Sequence, residues 1–118
     1  MEIKDFEIEI IGEIWNTQDD NIDVFVRFKN KEEFVGSFFT LENIQRLIKE
    51  KSVSKENVSG LYFWSSDMII IEELTEENIK LSIYDMLKEG TFFSAFSPTN
   101  KLAYERVKVE APISLNDE

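Results

Sequence analysis

Two dense apolar runs lie near the middle of the chain, at residues 61–64 and 68–71. Each run has the length of a β-strand and is rich in aromatic or β-branched residues, and the polar residues 65–67 separate them. Apolar runs with little alternation are typical of strands that are covered on both faces, or on one face and part of the other. Asp67 is suited to the turn between them because its side chain can hydrogen-bond to backbone. The pattern therefore predicts two core strands joined by a tight turn.

The N-terminal segment, residues 3–14, alternates apolar and polar side chains. Phe6, Ile8 and Ile10 fall on one side of this segment, and carboxylates fall on the other. A period of two is typical of a strand with one buried face. The segment therefore predicts a first strand with an acidic outer side. Gly12 follows a break in the period and predicts a β-bulge.

Three other segments also have the composition of strands, namely residues 22–29, 34–39 and 102–109. The polar residues 30–33 join the first two of these segments as a hairpin. Gly36 lies inside the second segment and predicts either a bulge or a close approach of another group to the backbone. The last segment is predicted to be an edge strand.

Two segments have apolar residues at helical spacing. Thr40 is suited to cap the first helix, which is predicted to end near Lys51, and Thr75 is suited to cap a second helix that ends at Gly90. Both segments begin with Thr-x-Glu-Asn-Ile, which reflects either a duplication or two similar solutions to helix capping. After Gly90 the sequence also predicts an aromatic cluster (Phe92, Phe93 and Phe96), a turn (residues 97–100) and a frayed tail (residues 112–118).

The predicted order of elements is β-β-β-α-β-β-α-β in a single domain, residues 1–118. This order predicts an α+β fold with a mixed, mostly antiparallel sheet of about five to six strands and two helices packed on one face. The helix after Thr40 is also suited to a crossover that makes one parallel strand pair. A chain of this length buries a sizeable core without disulfides or metal ions.

Charge is the most pronounced feature of the composition. The chain has 24 acidic and 13 basic residues, a net charge of −11, and residues 1–23 alone hold eight acidic residues and one lysine. Such a field repels nucleic acid and anionic membranes and attracts basic partners, although solubility alone is also a sufficient reason for it. The acidic N-terminus differs from a signal peptide, and no apolar run approaches the roughly 20 residues of a membrane span. We therefore expect a cytoplasmic protein with no nucleic-acid or membrane partner.

The residue types that most catalytic sites need are missing. The chain has no histidine and no cysteine, which excludes Ser-His-Asp and Cys-His catalysis and the usual zinc ligands. Its four glycines, at positions 12, 36, 60 and 90, are too scattered for a phosphate-binding loop. Ser65 and Ser66 beside Asp67 fit a turn better than a nucleophile. We therefore expect no enzymatic activity, no catalytic residues and no cofactor.

Two groups of carboxylates suggest a cation site, and neither is convincing. Asp19, Asn21 and Asp23 imitate the start of a calcium loop, but Val24 stands where that loop needs glycine and Asn30 where it needs glutamate. An acidic loop between strands is the better interpretation. The four glutamates at positions 72, 73, 76 and 77 are suited to a hard cation or to acid–base chemistry, but the last two are explained by a helix N-terminus. We predict no metal site.

Residues 60–71 read Gly-Leu-Tyr-Phe-Trp-Ser-Ser-Asp-Met-Ile-Ile-Ile, and Thr-Glu-Glu-Asn-Ile follows at residues 75–79. This phrase resembles a family of small, uncharacterised bacterial proteins of this length, over roughly residues 34–96. A small, acidic α+β chain without catalytic residues is also similar in style to the immunity proteins of bacterial toxin systems. The resemblance implies an inhibitor of a toxin, and it carries over no site residue.

Together these observations predict an acidic protein-binding module, most concretely an immunity or antitoxin-type inhibitor that docks on a basic partner such as a toxin domain. The predicted partner-binding residues are Glu7, Glu9, Glu13, Asp19, Asp20, Asp23 and Trp64. Trp15 and Trp64 are suited either to the core or to an interface. The alternatives are a structural or regulatory domain that self-associates, for example as a homodimer, through a sheet edge, and an enzyme that uses carboxylates with a divalent metal.

Overall fold

A computed structural model describes residues 5–54 and 60–99 of the chain, without the side chains of residues 52–54. The elements of this part are, in order, β1 (Phe6–Ile11), β2 (Asn21–Phe28), β3 (Glu33–Phe39), α1 (Leu41–Ser54), β4 (Met68–Ile70), α2 (Glu76–Glu89), α3 (Phe92–Ala95) and β5 (Ser97–Pro98). The predicted edge strand at residues 102–109 and the predicted tail at residues 112–118 lie outside the described residues.

The strands of the described part form one five-stranded sheet. β1, β2 and β3 pair antiparallel in chain order, with Glu9 opposite Phe25 and Phe25 opposite Val35. β4 pairs parallel to β3, so α1 is the crossover connection that the sequence allowed. The predicted α+β class with a mixed, mostly antiparallel sheet is therefore confirmed.

β4 and β5 share one edge of β3. β2 pairs along the other edge of β3, so the remaining edge receives β4 at residues 37–39 and β5 at residues 34–35. Asp67 lies where β4 and β5 meet. Its carbonyl oxygen accepts a hydrogen bond from the backbone N–H of Ser37 at 2.8 Å, and its Oδ1 accepts one from the hydroxyl of Ser97 at 2.6 Å.

The core lies on one side of the sheet, which we call the inner face. Its buried side chains are Ile22, Val24, Val26 and Phe28 of β2, Phe34 and Phe38 of β3, Ile71 and Leu74 after β4, Ile79, Ile83 and Leu87 of α2, Phe92 of α3, and Phe96. Ile44, Leu47 and Ile48 of α1 are half-buried and Leu41 is exposed, and none of them belongs to this cluster. Buried Asn43 of α1 instead accepts a hydrogen bond from Asn21. The sequence predicted two helices on one face; in the described residues α2 and α3, not α1, supply this core.

The predicted aromatic cluster is confirmed, and it explains Gly36. The rings of Phe92 and Phe96 stack with centroids 4.3 Å apart, and Phe34 meets Phe92 edge-on at 5.5 Å. A Cβ atom at Gly36 would lie 2.6 Å from Cδ2 of Phe96, closer than two carbon atoms can pack. Gly36 is therefore the predicted site of close approach, and the ring of Phe96 is the group that approaches.

Both helix caps are confirmed. The hydroxyl oxygen of Thr40 accepts from the N–H of Asn43 at 3.2 Å, and that of Thr75 accepts from the N–H of Asn78 at 3.1 Å. These bonds satisfy donors that have no partner inside a helix. Gly90 ends α2 in the left-handed conformation, with φ of 84°. None of the described helices is both long and apolar enough to cross a membrane.

Three local predictions are wrong. Residues 61–64 are not a strand; within the described residues β4 pairs with β3 alone, so the predicted hairpin of residues 61–64 and 68–71 does not form. Residues 97–98, predicted as part of a turn, form β5. Gly12 is not a bulge, since the β1–β2 register is continuous to the pair of Ile11 and Asp23 and the strand simply ends there.

Candidate protein-binding surface

The side of β1–β3 that points away from the core is called the outer face here. It consists of Glu7, Glu9 and Ile11 of β1, Asn21, Asp23, Phe25 and Arg27 of β2, and Glu33, Val35, Ser37 and the buried Phe39 of β3. This placement follows from the alternation of side chains along a strand, because the neighbours of these residues in β2 and β3 are buried in the core. Four carboxylates and one guanidinium give the outer face a net negative charge.

Arg27 links the three strands of the outer face. Its Nη2 donates to Oε1 of Glu9 at 2.6 Å, and its Nε donates to Oε2 of Glu33 at 2.6 Å. The hydrogen bond with Glu9 and then that with Glu33 raise the pKa of the guanidinium above its ordinary value. Its central carbon also lies 5.9 Å from the centroid of the Phe25 ring. The arginine is thus held between Glu9 and Glu33 with its charge compensated.

The remaining carboxylates of the outer face are available to a partner. Glu7 is exposed and has no ion-pair partner within the described residues, although it lies opposite Arg27 in the strand register. Asp23 is also exposed, and its Oδ1 accepts a hydrogen bond from Ser37 at 2.7 Å. Half-buried Phe25 and Val35 lie side by side between these charges. The outer face therefore combines an acidic margin with a small apolar centre.

Asp19 and Asp20, predicted as partner-binding residues, are used inside the protein. Both carboxylate oxygens of Asp19 accept from Nε of Arg46, at 2.9 and 3.1 Å, and its Oδ1 also accepts from Asn43 at 3.1 Å. Arg46 first and Asn43 second lower the pKa of Asp19. Asp20 accepts from the backbone N–H groups of Trp15 and of residue 21, at 2.7 and 2.8 Å. These bonds shape the loop before β2.

The two tryptophans are not core residues. The exposed fraction is 84% for Trp15 and 74% for Trp64, so the interpretation of these side chains as core packing is wrong. Glu13 is exposed just beyond the end of β1. Of the seven predicted residues, Glu7, Glu9 and Asp23 share the outer face, and Glu13 lies beyond the end of one of its strands. Trp64 precedes β4 and is not part of the outer face.

Sequence reasoning assigned Glu7, Glu9 and Asp23 to partner binding and missed the other members of the outer face. Glu33, Phe25 and Val35 join it through the β1–β2–β3 register, which pairs Phe25 with both Glu9 and Val35. The signal was present in the hairpin, because a connection of known length fixes which residues are opposite each other. The apolar centre was thus open to prediction from the same alternation that identified the carboxylates.

No group of three or more aspartates or glutamates in the described residues is placed to hold a metal ion. The carboxylates of the outer face are spread along strands and are not gathered around one point. Comparison of the chain with protein-family models, curated proteins and solved structures finds no significant match.

Proposed function

We propose that the protein is an acidic protein-binding module that docks its outer face on a basic partner protein. The observation that carries this proposal is the gathering of Glu7, Glu9, Asp23 and Glu33 on one solvent-facing side of β1–β3. Among the side chains of that face Arg27 is the basic one, and Glu9 and Glu33 hold it in place. A partner with clustered lysines or arginines complements such a surface.

The most concrete form of this function is an immunity or antitoxin-type inhibitor in the cytoplasm. An enzyme that acts on nucleic acid has a basic active site, and a carboxylate-rich sheet can occupy that site in place of the phosphates. The net charge of −11 accelerates the encounter at low salt, because long-range attraction steers oppositely charged surfaces together. Phe25 and Val35 add apolar area at the centre, where desolvated contacts contribute most to affinity.

The test uses three baits that are immobilised at equal density. They are the native chain, a face variant (Glu7→Gln, Glu13→Gln and Asp23→Asn) and a control variant (Glu77→Gln, Asp85→Asn and Glu89→Gln). Each variant loses three negative charges from exposed positions, but the control variant loses them from α2. A lysate of the native host is passed over each bait, and proteins that elute at low and then at higher salt are identified by mass spectrometry.

We expect the native chain and the control variant to retain the same basic protein, and the face variant to lose it. With that protein purified, the association rate at low salt is expected to fall by about tenfold in the face variant. Inhibition of its enzymatic activity by the native chain would then establish the inhibitor role. Equal retention by all three baits would show that the outer face is not the docking surface.

A further inference from the structure

A groove opens at the carboxyl ends of the parallel strands β3 and β4. It has a volume of about 510 Å³, and we call it the end groove. Buried Thr40 and Ile71 form its floor. Leu41 and Ile70 line it while their exposed fractions are 62% and 51%. The end groove therefore presents two large aliphatic side chains to solvent.

Hydrogen bonds fix the walls of the end groove. The carbonyl oxygen of Thr17 accepts a hydrogen bond from the N–H of Leu74 at 2.7 Å. The hydroxyl of Thr17 donates one to the carboxylate of Glu73 at 3.2 Å. Thr40 exchanges two hydrogen bonds with Asp20, one through its N–H at 3.2 Å and one through its Oγ1 at 3.3 Å. The loop that carries Gln18 is thereby fastened to the segment after β4 and to the N-cap of α1. A groove that is already ordered requires less conformational entropy to be lost on binding.

The margin of the end groove is acidic. Glu42, Glu72 and Glu73 line it, together with the neutral Gln18, and no lysine or arginine does so in the described residues. These carboxylates form no cluster that could hold a metal ion. Their charge opposes binding of nucleic acid or an anionic membrane, and the net charge of −11 opposes binding of a second copy of this chain.

We propose that the end groove binds a short basic peptide segment that inserts an aliphatic side chain between Leu41 and Ile70. Lysine or arginine residues on either side of that anchor would lie against the three glutamates. The volume suits a few side chains and not a folded domain. This site is separate from the outer face, so the proposal does not rest on the function proposed above.

The test uses the whole chain and a defined probe, the peptide acetyl-Lys-Leu-Lys-Leu-Lys-amide. Binding is followed by methyl NMR of isotopically labelled isoleucine and leucine side chains. Two control peptides separate the contributions: serine replaces leucine in the first, and glutamate replaces lysine in the second. The protein variants are Leu41→Gln and Ile70→Thr, and Leu81→Gln is the matched control because Leu81 is 58% exposed on α2.

We expect saturable shifts of the Leu41 and Ile70 methyl signals with the lysine–leucine peptide. Each groove variant is expected to weaken binding by about tenfold, whereas Leu81→Gln leaves it unchanged. Both control peptides are expected to bind at least about tenfold more weakly. The face variant used above serves as a further control and is expected to bind the peptide like the native chain.

Two results would overturn the proposal. One is the absence of saturable shifts at Leu41 and Ile70 up to millimolar peptide. The other is binding that the face variant loses and the groove variants keep, which would assign the peptide to the outer face. In the second case the proposal for the outer face would stand while that for the end groove fails. The spectrum of each variant shows directly whether it has kept its fold.

Discussion

Gly36 lies in β3 directly under the ring of Phe96. A Cβ atom there would come within 3.0 Å of three carbons of that ring. Phe96 cannot easily move aside, because it is buried and stacks on Phe92. The absence of a side chain at position 36 is thus a packing requirement of the aromatic cluster and not a matter of backbone conformation.

We predict that Gly36→Ala lowers the free energy of unfolding by about 1–3 kcal/mol, as overpacking of a core does. Phe96→Leu in the same chain should recover part of that loss, because a smaller side chain makes room for the methyl group. Urea unfolding of the two single variants and the double variant measures the coupling. Additive effects of Gly36→Ala and Phe96→Leu would show that the ring is not what excludes a side chain at position 36.

Gly90→Ala is the matched control. Gly90 has φ of 84°, and nothing lies within 4 Å of a Cβ built on it. Its replacement should cost about 1–2 kcal/mol for the left-handed conformation alone. Because a side chain at position 90 would not pack against Phe96, the cost of Gly90→Ala should add to the cost of Phe96→Leu in the double variant.

At the scale of elements, Asp19 fastens the loop before β2 to α1. The side chain of Asp19 is only 17% exposed and holds Arg46, which also donates to Glu50 at 2.7 Å. This contact links residues 27 positions apart. The half-buried apolar side chains of α1 do not belong to the inner-face core, and this ion pair is one of the contacts that hold the helix to the rest of the protein.

The same contact predicts a pH dependence. The hydrogen bond with Arg46, and after it that with Asn43, lowers the pKa of Asp19 below the ordinary value of an aspartate. A carboxyl group with a depressed pKa in the folded state contributes stability above its unfolded pKa, and the contribution is lost as pH falls through the folded value. Asp19→Asn should therefore lower the urea midpoint at neutral pH, and the difference from the native chain should vanish in strong acid.

Urea titrations of both chains from neutral pH down to strong acid, well below the ordinary pKa of an aspartate, measure this difference. Arg46→Gln should lower the midpoint at neutral pH in the native chain and have less effect in the Asp19→Asn chain, since the pair is already broken. A difference between native and Asp19→Asn chains that stays constant over the whole pH range would contradict the assignment.

Elements whose signals are local were predictable from the sequence. Both long helices are set by their caps, at Thr40 and Thr75, and the β2–β3 hairpin is set by its alternation. Residues 61–64 have the composition of a strand, but composition alone does not decide whether a segment pairs with a neighbour. β4 pairs in parallel with the distant β3 and not with residues 61–64, and no local pattern records that choice.

The residues of the candidate site also fall into those that a local pattern predicts and those that depend on tertiary contacts. Alternation alone placed Glu7 and Glu9 on one outer side, and the structure adds Asp23 through the strand register. The ion pair of Asp19 with Arg46 depends on how α1 packs against a loop that is distant in sequence. The exposure of Trp15 depends on which other parts of the protein pack near it. Neither is encoded by neighbouring residues, so the sequence overestimated how many of its carboxylates are free to meet a partner.

At the scale of the whole molecule, the excess of acidic residues acts on stability as well as on binding. The chain carries 24 acidic and only 13 basic residues, so compaction brings like charges closer and opposes folding. The ion pairs of the described residues are mostly exposed, such as Lys80 with Glu76 and Lys29 with Asp5. Exposed pairs of this kind contribute little each, about 0–1 kcal/mol. Repulsion should therefore outweigh attraction in the response to salt.

We predict that the urea midpoint rises between about 0.01 M and 0.15 M NaCl, because the screening length falls from about 30 Å to about 8 Å. The control variant with three amides on α2 has less repulsion to screen, so its midpoint should rise less over the same range. A neutral osmolyte at matched osmolarity separates screening from general exclusion effects. If the urea midpoint of the native chain falls with salt, attraction within ion pairs outweighs repulsion by the net charge. The excess of carboxylates would then not destabilise the fold, and no binding role would be needed to explain why it is kept.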